Sequence, residues 1–124
     1  MAKVIIKYKI SSKNEKEIKG QVTGIKNNNI ITYKDTDCIV NILLEKDMIS
    51  IKRENDKMHL TLKLEEDKSN ITNYFIKDLG FNFDVKSVTK NLEIKENRLD
   101  VKYELYINDE YSDTFNYTLE WSDL

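Results

Sequence analysis

Proline is absent from all 124 residues. The commonest strand breaker is therefore missing, and long uninterrupted strands are permitted. Glycine occurs only as Gly20, Gly24 and Gly80, too sparse to build a glycine-rich phosphate loop. The single cysteine, Cys38, excludes an intramolecular disulfide framework and a cysteine-rich metal site. With one histidine, a Ser-His-Asp triad or metal-histidine centre must run through His59 or not exist. No apolar run is long enough for a signal peptide or a membrane-spanning helix, so a cytoplasmic chain with no membrane partner is expected. Twenty Lys and Arg against 22 Asp and Glu is not the balance of a uniformly basic nucleic-acid binder, and no nucleic-acid partner is expected.

What is present is alternation. Leu60, Leu62 and Leu64 alternate with His59, Thr61 and Lys63, and Phe115, Tyr117, Leu119 and Trp121 with Thr114, Asn116, Thr118 and Glu120. A period of two places one set on each face of a strand. The pattern predicts strands over residues 3–10, 17–26, 30–34, 38–45, 48–54, 58–65 and 70–77. Further strands begin at Phe81, around Leu92 and Ile94, and over 99–108 and 112–121. Val88 falls out of step with Val85, which predicts a bulge or a strand break near Lys86 and Ser87. Gly20 and Gly24 lie within one strand and suggest that it bends around a corner. Short polar connections, such as Asn27-Asn28-Asn29 and Asn55-Asp56-Lys57, read as hairpin turns. The expected fold is all-β: one domain over 1–124, an antiparallel up-and-down barrel of about ten strands with little or no helix. A two-sheet sandwich is the alternative, although it usually needs longer crossings.

Charge is unevenly spread. Residues 1–26 carry seven lysines and two glutamates, whereas residues 103–124 carry six acids and no Lys or Arg. Opposite charges favour neighbouring strands, so the first and last strands are expected to pair and close the barrel.

Few residues offer chemistry. Arg53 continues the inward phase of Ile49 and Ile51. An inward guanidinium needs a carboxylate, a carbonyl or a ligand, because an unpaired buried charge is very costly. It is either an anion clamp at a barrel mouth or a side chain that has emerged into solvent. Tyr8, Tyr103 and Tyr117 share faces with apolar neighbours and bring hydroxyls inward, either to line a cavity or to fill the core. Tyr74 is a further candidate. His59 should face solvent, Cys38 should be a small buried hydrophobe, and Asp35 and Asp37 should be solvated turn formers. Glu65-Glu66-Asp67 lacks the spaced oxygen ligands of a calcium loop. No catalytic residue, metal or cofactor is assigned.

Taken in order, these features resemble the YwiB-like family of small bacterial β-barrels of unknown function, with a lipocalin-like or calycin-like fold. The resemblance rests on the first strand Lys3-Val4-Ile5-Ile6-Lys7, Gly24, Tyr33 before an acidic turn, and Ile49-Ser50-Ile51-Lys52-Arg53. It continues through Met58-His59-Leu60, Tyr74, Gly80, Phe81-Asn82-Phe83-Asp84-Val85, Thr89 and Val101-Lys102-Tyr103-Glu104-Leu105. It implies a barrel and no known activity. The expected function is a non-enzymatic barrel that binds a small ligand in or at its mouth, through Arg53, Tyr103, Tyr117 and Tyr74. The alternatives are a filled barrel that contacts a partner protein, or an enzyme with its site near Arg53.

Overall fold

The computed structural model describes residues 2–14 and 17–124. Ten strands account for most of the chain, with no helix among the described residues. In chain order they are β1 (Ala2–Ser12), β2 (Ile18–Asn27), β3 (Ile30–Lys34), β4 (Ile39–Leu44) and β5 (Met48–Glu54). There follow β6 (Met58–Glu65), β7 (Ser69–Ile76), β8 (Phe81–Lys95), β9 (Arg98–Ile107) and β10 (Glu110–Asp123). Each pairs antiparallel with its chain neighbours, and β10 pairs with β1, so the sheet closes into a barrel. Closure removes the exposed edges of an open meander.

The expected neighbours meet: β1 and β10 run from Val4↔Asp123 to Ser12↔Phe115. Opposite charge does not cement this seam. Lys7 stands across from Glu120, but Glu120 is held by Arg98 of β9 at 2.5 Å. The main-chain ladder and the buried Ile6, Tyr8, Leu119 and Trp121 hold it instead. The turns use residues that tolerate positive φ: Asn28, Asp67, Asn108, Asp109 and Gly80.

The ring is pinched twice. β2 pairs with β3 over three residues only, Ile25↔Thr32 to Asn27↔Ile30, and β6 with β7 over three, Met58↔Ile76 to Leu60↔Tyr74. Gly24 lies where β2 leaves β3. A Cβ there would come within 2.6 Å of the Thr32 carbonyl oxygen, so glycine permits the corner.

Two expectations need correction. The segment from Phe81 to Lys95 is one strand, not two, and its register shift lies between Thr89 and Asn91 rather than at Lys86 and Ser87. Ser87 and Thr89, not Val88, point inward and are fully buried. Small polar side chains face in there because β6 lies close over β8, near enough for the Ser87 hydroxyl to reach the Lys63 carbonyl at 2.9 Å. The predicted strands 3–10 and 17–26 leave 11–16 as a loop, but Ser11 and Ser12 belong to β1, and residues 15 and 16 lie outside the described residues.

The interior is packed. Val4, Ile6, Ile31, Val40, Ile42, Ile49, Leu64, Leu99 and Leu119 are among its fully buried side chains. Cys38 joins this core as expected. A Leu or Ile of this kind contributes about 1.5–3 kcal/mol relative to exposure.

Candidate functional site

Strands β3 and β5 run towards the same end of the barrel, and the turn Asp35–Cys38, closed by the Asp35 N–H donating to the Cys38 carbonyl at 3.0 Å, lies at that end. At this mouth Arg53 meets Asp35. Arg53 Nη2 donates to Asp35 Oδ2 at 2.5 Å, with the Arg53 side chain 24% and the Asp35 side chain 4% exposed. Asp35 Oδ1 also accepts from the backbone N–H of Asp37 at 3.1 Å and of Cys38 at 2.8 Å. The carboxylate therefore stabilises the turn and the guanidinium together. Burial opposes the charge on Arg53, but the adjacent Asp35 outweighs it and raises the Arg53 pKa above its ordinary value.

Asp35 is thus a buried partner, not the solvated turn former expected. It continues the parity of Ile31 and Tyr33, both buried, one step past the end of β3. That parity was the available signal. Asp37, by contrast, is exposed. Asp113 was missed in the same way: it is buried on the parity of Phe115 and Tyr117, and its Oδ1 accepts from the Thr114 N–H at 2.7 Å.

Tyr33, Tyr103 and Tyr117 lie near enough to Arg53 to feel its charge, and Tyr8 adjoins Tyr33. Tyr8 stacks on Tyr33 with ring centroids 5.2 Å apart, and the Tyr33 and Tyr117 hydroxyls are hydrogen-bonded to each other. Tyr103 stacks on Phe115 at 5.5 Å. Burial pushes the Tyr33 hydroxyl up to about 12, with the Tyr117 bond and Arg53 pulling it back. Burial likewise raises Tyr103 and Tyr117, and Arg53 is near enough to oppose both shifts. Among the described residues the Tyr103 hydroxyl makes no hydrogen bond, and Asp35 is the only hydrogen-bond partner of Arg53.

The sequence candidates are therefore partly assembled. Arg53, Tyr103 and Tyr117 belong to one cluster. Tyr74 lies two strands away in the row Arg53–Leu60–Tyr74–Phe83, about 10 Å from Arg53 across the sheet. It packs on Phe83 at 6.1 Å, and Phe83 on Phe81 at 6.3 Å. Phe81 is 57% exposed, so these rings form an apolar lip on the mouth. His59 faces outward as expected, half-exposed, with Nδ1 3.4 Å from Glu54.

Several surface grooves lie away from this mouth. One, of about 610 Å³, is at the opposite end beside Val4, Lys26, Glu96 and Trp121. Another, about 370 Å³, runs along the outside past Lys7, Lys19 and Arg98. No group of three or more His, Cys, Asp or Glu among the described residues is arranged to hold a metal ion. Among the described residues no helix is long and apolar enough to cross a membrane.

A closed ten-stranded barrel with a filled interior and a buried ion pair under one mouth defines the class. Residues 3–119 match the model of a domain of unknown function, DUF1934, and the chain belongs to that family. The structure is similar to the crystal structure of the ywiB protein from Bacillus subtilis. The TM-score is 0.63 at 16% identity, covering 97% of this chain and 90% of that one. No curated protein matches the chain significantly. The YwiB-like resemblance read from the sequence is thereby shown, and with it a barrel without an assigned activity.

Proposed function

We propose that this chain is a non-enzymatic barrel that binds a small ligand at the mouth around Arg53, rather than inside the barrel. The observation that carries the reading is the guanidinium itself. Arg53 has five N–H donors, only its Nη2 is engaged by Asp35, and its side chain remains a quarter exposed. The Tyr103 hydroxyl, without a hydrogen bond among the described residues, lies in the same cluster. Together they suit a ligand with a hydrogen-bond-accepting head, whose apolar body rests on the lip of Tyr74, Phe83 and Phe81. The packed core argues against a ligand held deep within.

The test is a titration of isotopically labelled protein with acetate, hexanoate and benzoate, read by nuclear magnetic resonance. Shifts should concentrate on Cys38, Arg53 and Tyr103, grow with the apolar body, and vanish in Arg53→Met. Shifts that survive Arg53→Met, or none with any probe, would remove the reading. A second reading, a filled barrel that meets a partner protein, is favoured by the exposure of Leu79 and Phe81 on the same rim.

A further inference from the structure

The ladder between β6 and β7 stops at Leu60↔Tyr74. The Lys77 N–H donates to the Lys57 carbonyl at 2.9 Å, which sets the register of this hairpin. In that register the odd-numbered residues of β7 turn their main-chain groups towards β6. Continued pairing would bring Asn73 to Thr61 and Ile71 to Lys63, and neither pair is formed. The Thr61 carbonyl accepts from the Thr72 hydroxyl instead, and the Lys63 carbonyl from the Ser87 hydroxyl. On its other side β7 is paired along its whole length with β8. Ser69, Ile71 and Asn73 therefore direct N–H and C=O groups at an edge that no strand fills among the described residues.

This edge lacks the usual protections. Ser69–Ile76 contains no charge and no proline, and its pairing with β8 has no bulge. Ile71 stands 70% exposed on the outer face.

We propose that this edge is a pairing site for a second copy of this chain, β7 against β7, antiparallel about a two-fold axis at Ile71. Such pairing sets Ile71 opposite Ile71, and Ser69 of each copy opposite Asn73 of the other. The flanking Lys68 falls opposite Tyr74, so no charge meets its like across the axis. The two exposed Ile71 side chains become cross-strand neighbours and shield each other. A two-fold contact of this kind is self-complementary and closes after two copies. The proposal is independent of the ligand reading at the mouth.

The test uses the full chain in sedimentation velocity from micromolar to millimolar concentration, with amide hydrogen exchange at both extremes. The apparent mass should double with concentration, and the Ile71 and Asn73 amides should gain protection as it does. Ile71→Lys places two like charges at the axis, and Ile71→Pro deletes the edge-facing N–H without touching the β8 ladder. Both variants should stay monomeric with an unchanged circular dichroism spectrum. Ile71→Lys decides alone if the proline variant does not fold. A wild-type chain that stays monomeric at millimolar concentration overturns the proposal. So does a dimer that persists in Ile71→Lys, or one whose protection appears elsewhere.

Discussion

Replacing Arg53 with methionine should cost about 3 kcal/mol of folding stability, at the lower end of the range for breaking a buried ion pair. The figure follows from what the substitution leaves behind. Asp35 keeps its two backbone donors on Oδ1 but loses the Arg53 guanidinium on Oδ2, in a side chain that is 4% exposed. A buried carboxylate without a counter-charge carries most of the penalty. The quarter exposure of Arg53 sets the value low in the range, because water offsets part of the loss. Asp35→Asn keeps an oxygen for the Asp37 and Cys38 N–H groups and removes the charge. The double variant Asp35→Asn, Arg53→Met should therefore lose only about 1 kcal/mol, since an apolar replacement for a buried pair is often close to neutral. Urea unfolding of the four proteins at neutral pH completes a double-mutant cycle. Additive losses, or an Arg53→Met cost below about 0.5 kcal/mol, would refute a buried, coupled pair.

Tyr33→Phe or Tyr117→Phe alone should cost about 1–3 kcal/mol by stranding the other hydroxyl, while the double variant should cost less than either, as thermal unfolding can show. Tyr33 has its pKa raised to about 12 against an unfolded value near 10, so the folded state retains the proton longer. The resulting stabilisation, on the order of 3 kcal/mol, should be fully present below pH 10 and lost as pH rises through 12. A stability that stays flat across that window would contradict it. Gly24→Ala should cost about 3 kcal/mol and Gly20→Ala less, because the first meets the Thr32 main chain and the second only the movable Tyr8 ring. His59→Ala should change the unfolding midpoint little, by under about 0.5 kcal/mol, as for most surface positions.

Parity along the chain decided a great deal by itself. The period of two put Val4, Ile6 and Tyr8 on one face, and Tyr117, Leu119 and Trp121 likewise, and all are buried. It also put Arg53 inside, because a strand cannot turn one residue without turning its neighbours. Short polar connections implied hairpins, and hairpins with complementary outer strands implied closure. Parity failed where the main chain changed its course. Asp35 was discounted because it follows the last residue of β3, yet the loop keeps the inward phase for one more step. The phase slip at Val88 gives no sign that Ser87 and Thr89 face inward, because local alternation cannot show that β6 packs over β8 there. The open edge of β7 depends on hydroxyls from Thr72 and Ser87 reaching carbonyls on β6, 11 and 24 residues away in the chain. Local alternation reports which face a residue takes; which groups meet across the barrel is set by closure, and closure is a property of all ten strands at once.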